Sequence, residues 1–179
     1  MGTGQKMTLG IGEIIMKVLS KQHNSKMCAI CGLDNKYGLR APFYNMEDGS
    51  VITKFQYREE HQSYPGRVHG GLITAMLDEM GLRALWAKEQ SEETFGVTIS
   101  LDTKYRKPVP YGVDLIGKGI LIKENSKFFT VDSSILDCQG NVLANGVIKY
   151  IKLDVNQINE EISAHDEMPY LIEDGVTEI

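Results

Sequence analysis

With three cysteines in 179 residues, too few and odd in number, the chain carries no disulfide framework, which points to a reducing compartment. It also lacks a hydrophobic run long enough to cross a bilayer: the longest apolar stretch, Leu72 to Ala87, contains Asp78, Glu79 and Arg83. No secretory leader is visible, because Met1 to Leu9 is polar and glycine-rich and Ile11 to Leu19 is broken by Glu13 and Lys17. Met1-Gly2 fails as a myristoylation signal, since Lys6 stands where a hydroxyl residue is wanted. Dense Lys/Arg blocks are missing too, which argues against nucleic acid as a partner. The expectation is a cytoplasmic protein with neither membrane nor nucleic acid among its partners. Neither repeats nor a linker divide the chain, and 42% hydrophobic with 24% charged residues suits one globular domain.

The formal charge is -5, but it is unevenly spread. Eight of the 24 acids follow Lys152, and no Lys or Arg does, so the body up to Lys152 is mildly basic. Such a body suits a small ligand that carries phosphate.

Ile11, Ile14, Ile15, Val18 and Leu19 recur at helical spacing and predict a short amphipathic N-terminal helix. Strands are predicted over Leu39–Glu47 and Val51–Glu59, the second from its period-two alternation. Gly70–Lys88 differs from both. It is rich in Leu, Met and Ala, lacks proline and is apolar on nearly every side, which predicts a buried helix roughly 27 Å long. Four strands follow, over Phe95–Lys107, Val113–Glu124, Lys127–Cys138 and Asn141–Lys152, joined by short turns that force antiparallel neighbours. The order β-β-α-β-β-β-β gives an α+β fold, an antiparallel sheet wrapped around one central buried helix.

Chemistry concentrates around that helix. Pro65-Gly66-Arg67-Val68-His69-Gly70-Gly71 puts two glycines at its start, where free amides point outward at the positive end of the helix dipole. Amides so placed can stabilise a developing oxyanion; the same residues also fit a plain turn. Asp78 lies two turns further, inside an apolar rod, where a carboxylate needs hydrogen-bond partners or a use. Glu79 points about 100° away and has Arg83 four residues on, in the favourable order for an ion pair. Thr98 and His69 each fit either a structural or a functional role. Lys104, Arg106 and Lys107 form the most basic patch, either a solvated strand end or a contact for phosphate. Cys28 and Cys31 have zinc-knuckle spacing without a second pair; His23, His61 or a second subunit would have to complete the ligand set, and small buried thiols with no metal are the expectation.

The run His69-Gly70-Gly71-Leu72-Ile73-Thr74-Ala75-Met76-Leu77-Asp78-Glu79, with Thr98 and then Tyr105-Arg106-Lys107-Pro108-Val109-Pro110, resembles the hotdog-fold acyl-CoA thioesterases of the phenylacetic-acid-degradation type. The resemblance spans about residues 28–152, flanked by an N-terminal helical extension over 1–27 and an acidic extension over 153–179. It implies hydrolysis of an acyl-CoA or related thioester, with no cofactor beyond the CoA of the substrate, in a homodimer or dimer of dimers. Carried over residue by residue, Asp78 activates water or attacks the thioester carbonyl, the Gly70 amide polarises that carbonyl, and Thr98 places the water. His69 and Ser63 complete the catalytic set, and Gly71, Glu79, Lys104, Arg106 and Lys107 would contact substrate. Ser63 is a departure, standing where many members have Asn; His61 or Gln62 would then compensate. Two rivals fit the same architecture, an acyl-thioester hydratase or dehydratase and a non-catalytic acyl-CoA-binding protein.

Overall fold

The computed structural model describes residues 16–154 and 168–179. Its strands are β1 (Val18–Lys21), β2 (Tyr44–Met46), β3 (Val51–Phe55), β4 (Gln62–Tyr64), β5 (Arg67–Val68), β6 (Phe95–Tyr105), β7 (Leu115–Glu124), β8 (Phe128–Asp137) and β9 (Val142–Leu153). Between β5 and β6 runs the helix α1 (Gly70–Glu89). Seven strands form one antiparallel sheet in the order β1-β2-β3-β7-β8-β9-β6, and β4 and β5 form a separate hairpin. The helix packs on the sheet, the wrapped arrangement expected of a hotdog fold. Among the described residues no helix is long and apolar enough to cross a membrane.

The helix is buried because its apolar residues surround it. Met76, Leu77, Met80, Ala84 and Leu85 are fully enclosed and join Phe55, Leu115, Phe129, Val131, Ile135 and Ile148 of the sheet in one core. Each of the Met, Leu, Ile, Val and Phe side chains contributes about 1.5–3 kcal/mol when taken out of water. His69 caps the helix start, and Gln90, in the left-handed conformation at φ 53°, ends it.

Several expectations change. The predicted N-terminal helix does not extend over Val18 and Leu19, which belong to strand β1, paired with β2 through Val18↔Met46 and Lys21↔Tyr44. The open edge of β2 offers unpaired backbone groups, and satisfying them outweighs a helical spacing that short segments follow only weakly. Ile11, Ile14 and Ile15 lie outside the described residues. The first predicted strand shrinks to Tyr44–Met46, because Arg40 is left-handed (φ 56°) and Pro42 has no N–H to give a ladder. The second ends at Phe55, and the chain then turns through Glu59–His61 into the β4–β5 hairpin, which the sequence did not suggest. The end of the acidic tail returns to the body: Met168 is buried beside Trp86 and Phe95, and Asp174 accepts from Lys21 Nζ and Tyr44 Oη, both at 2.6 Å.

One buried cation ties these layers together. Arg83, 1% exposed, donates from Nε to Glu79 Oε1 at 3.0 Å, and from Nη1 to the His23 carbonyl at 2.7 Å. Its guanidinium also lies 4.5 Å from the Phe43 ring centroid and 5.0 Å from that of Trp86. Helix, sheet edge and the loop after β1 thus share one charge. Arg83→Ala leaves the Glu79 carboxylate and the His23 carbonyl without that donor; the expected loss is roughly 3–5 kcal/mol, read as a lower urea midpoint.

Candidate functional site

The glycine turn is built by three neighbours. The His69 N–H donates to the His61 carbonyl at 2.9 Å, and the Val68 N–H to the Val109 carbonyl at 3.0 Å, which anchors the glycine turn to the Glu59–His61 turn and to the loop after β6. His69 Nδ1 accepts from the Gly71 amide at 3.0 Å. One of the two glycine amides is therefore used for capping. The Gly70 amide precedes any intrahelical acceptor and has no partner among the described residues. Tyr105 Oη donates to the Gly70 carbonyl at 3.0 Å and lies 2.7 Å from Thr74 Oγ1, closing over the first turn.

Asp78 is met from two sides. Thr98 Oγ1 donates to its Oδ1 at 2.7 Å. Tyr150 Oη lies 2.8 Å from the Asp78 carbonyl and 3.2 Å from Oδ1, donating to both. Among the described residues Oδ2 has no partner. Burial, and then the facing Asp78 carboxylate, push the Tyr150 phenol above its ordinary range, so it stays a donor.

A β-bulge makes both contacts possible. Residues 98 and 105 are seven apart and would face opposite sides of a regular strand. Thr98 pairs with Tyr150 but Ser100 with Lys149, so Ile99 is an extra residue that reverses the parity. Thr98 therefore reaches Asp78, and Tyr105 reaches Gly70, from the same face of β6.

Sequence reading missed Tyr150 and the glycine that admits it. A Cβ on Gly81 would stand 1.8 Å from Tyr150 Oη, so only glycine leaves room for the phenol beside Asp78. A glycine inside an otherwise strong helix former was the available signal. Arg67 was overlooked as well. It lines a groove of about 400 Å³ together with Gly70, Ile73, Tyr105, Arg106 and Lys107.

The other candidates scatter. Glu79 is drawn away from Asp78 to Arg83, and Lys104 is exposed and outside that groove. Ser63 sits exposed on β4, its hydroxyl without a partner among the described residues. His61 cannot stand in for it: its Nδ1 accepts from the Arg58 amide at 2.9 Å and its Nε2 lies 2.7 Å from the Tyr37 carbonyl. His23 is held by Glu92 rather than by the cysteines.

Residues 65–144 match the thioesterase superfamily. Human acyl-coenzyme A thioesterase 13 is 27% identical over 99 residues, 55% of this chain and 69% of that protein. A crystallised thioesterase superfamily protein superposes with a TM-score of 0.62 at 25% identity; the match covers 70% of this chain and 63% of that one. A Streptococcus mutans protein crystallised with acetyl-CoA shares the fold at a TM-score of 0.52 and 20% identity, over 59% of this chain and 82% of its own.

The Gly81–Tyr150 fit has a direct test. Gly81→Ala forces the phenol, stacked on Phe129 at 4.6 Å, off Asp78. The displaced phenol is expected to cost about 1–3 kcal/mol, offset by about 1 kcal/mol of helix propensity gained with alanine, as measured by denaturant titration; a raised midpoint would show that Tyr150 does not occupy this place.

Proposed function

We propose, for a chain whose residues 65–144 match the thioesterase superfamily, hydrolysis of an acyl-CoA or related thioester. The observation that carries it is Asp78 in the buried helix, with Oδ1 held by Thr98 and Tyr150 and Oδ2 without a partner among the described residues. A carboxylate fixed through one oxygen presents the other to a water, or to the carbonyl carbon itself. The Thr98 hydroxyl, having given its hydrogen to Asp78, keeps lone pairs that accept from such a water. Addition at the carbonyl carbon puts charge on its oxygen, where the Gly70 N–H lies at the positive end of the helix dipole. Collapse expels the CoA thiolate, which takes up a proton; attack by water leaves the free acid directly, whereas attack by the carboxylate leaves an acyl–Asp78 anhydride that water then hydrolyses.

One chain cannot supply both groups. Gly70 and Asp78 are eight residues apart on α1, about 12 Å along the axis, whereas a reacting carbonyl needs both within about 3 Å. The sheet supports a solution. β6 forms one edge, and its contacts mark Gly70 at the Tyr105 end and Asp78 at the Thr98 end. A two-fold axis crossing β6 near Leu101 and Asp102 would bring the Gly70 end of one copy onto the Asp78 end of the other. The working unit is then a homodimer, alone or as half of a dimer of dimers, with two shared sites. Arg67, Arg106 and Lys107 beside Gly70 would receive the CoA phosphates.

Asp78→Asn should lower turnover by a factor on the order of 100 or more with the fold intact, followed as CoA thiol release. Gly70→Pro removes the amide at the first helical position, where proline is tolerated, and should cost about 100- to 1,000-fold. Dimers mixed from these two variants contain one intact site and should recover activity; none would appear if the two groups do not meet across chains. Lys107→Ala should weaken CoA binding most at low salt. Hydration of an enoyl-CoA without thiol release would instead indicate a lyase, and acyl-CoA binding with neither reaction a carrier.

A further inference from the structure

Away from the Thr98–Asp78–Tyr150 cluster, the loop after β1 brings a second reactive group together. Cys28, Cys31 and Glu79 place their sulfur and carboxylate oxygen atoms within 4.8 Å of one another. The loop closes as a single helical turn, the Gly32 amide donating to the Cys28 carbonyl at 3.0 Å. A side chain at Gly32 would collide with the Cys28 backbone at 2.5 Å, so the tight turn depends on that glycine. The two thiols differ in exposure: Cys28 is half-buried, Cys31 only 1% exposed. The Ile30 amide donates to Cys28 Sγ at 3.3 Å, and Cys28 Sγ lies 3.6 Å from Glu79 Oε2, whose other oxygen is held by Arg83.

We propose that Cys28 and Cys31 form a thiol–disulfide exchange site for low-molecular-weight disulfides, Cys28 attacking and the buried Cys31 resolving. The partly exposed thiol is the one a small disulfide can reach, and an amide donor stabilises its thiolate. The enclosed thiol is close enough to finish the reaction, since a modest rotation brings two sulfurs from under 4.8 Å to the bonded distance of about 2.05 Å. The Cys31 thiol, as hydrogen-bond donor, draws the Cys28 thiol down to about 7 against burial and the Glu79 charge, aided by the Cys31 and Ile30 amides. The same contact, with burial and Glu79, pushes Cys31 up despite Arg83. That asymmetry is what an attacking and a resolving thiol require. A tetrahedral zinc site is disfavoured: only three ligand groups converge among the described residues, and the Arg83 guanidinium already sits on one of them.

The Cys28 thiolate attacks one sulfur of the small disulfide, breaks its S–S bond and releases one thiolate, leaving a mixed disulfide on Cys28. The Cys31 sulfur then attacks Cys28 Sγ and expels the second thiolate. The protein loses two electrons, the small disulfide gains them, and the protons of the two cysteines pass to the two released thiolates.

Glutathione, reduced and oxidised in set ratios, is the probe, with intact-protein and peptide mass spectrometry on the full chain as the readout. Oxidation should remove two hydrogens per chain and link Cys28 to Cys31 while Cys138 stays alkylatable. Cys31→Ser should trap one glutathionyl group on Cys28, and Cys28→Ser should leave Cys31 unmodified. In the unmodified chain, alkylation of Cys28 should rise through a midpoint near pH 7, the thiolate being the reactive form above it. Glutathione trapped on Cys138 instead of Cys28 would overturn the proposal. So would a Cys28 that alkylates no faster than Cys138 at pH 7, or two thiols that react only after a chelator strips zinc from them.

Discussion

Enclosing α1 on nearly every side is the constraint from which the rest follows. A helix buried over most of its surface must find protein partners for most of its polar groups, because a buried unpaired carboxylate costs several kcal/mol. α1 carries two carboxylates in its middle, and they find unlike partners. Glu79 takes the Arg83 guanidinium one turn along the same helix, an ion pair extended to Gln22 and His23. Asp78 takes two hydroxyls from the sheet and no cation among the described residues. The first arrangement neutralises a charge and fastens an edge of the fold. The second leaves the charge in place with one oxygen uncommitted, which is the state a general base or nucleophile must have.

Reaching Asp78 asks concessions of the sheet and of the helix. β6 gains an extra residue at Ile99, so that a threonine and a tyrosine of opposite parity face the helix together. α1 gives up a side chain at Gly81, which lets the Tyr150 phenol lie beside the Asp78 carboxylate. Either feature alone would weaken an ordinary domain, a bulge by breaking the ladder and a mid-helix glycine by about 1 kcal/mol against alanine. Both occur where they serve the same carboxylate. Local irregularity of this kind concentrates where a protein has chemistry to support.

The loop of Cys28 and Cys31 lies on the Glu79 side of the helix, not the Asp78 side. Neighbouring residues of one helix thus face two environments separated by about 100° of rotation. The proposed thioester and thiol sites share no hydrogen-bonding group, and Arg83 holds the Glu79 carboxylate between them.

Much of this was legible in the chain. The apolar run from Gly70 to Lys88 predicted the helix to within a residue of its end, and the four later strands matched because their alternation is long and their turns are short. Asp78 and Thr98 were each marked as candidates, but their hydrogen bond to one another is a finding of the tertiary structure. Short segments were less legible: Val18 and Leu19 end a run of helical spacing yet lie in strand β1, since so few residues carry too little local preference to resist an open sheet edge. Tyr150 and Arg67 went unmarked because one looked like a strand residue and the other like part of a turn. Sequence by itself determined the buried helix and the order of the four long strands after it, because burial periodicity is a local property of the chain. Which polar groups meet was decided only in three dimensions, where a one-residue bulge and a missing side chain set contacts between residues 20 and 72 positions apart.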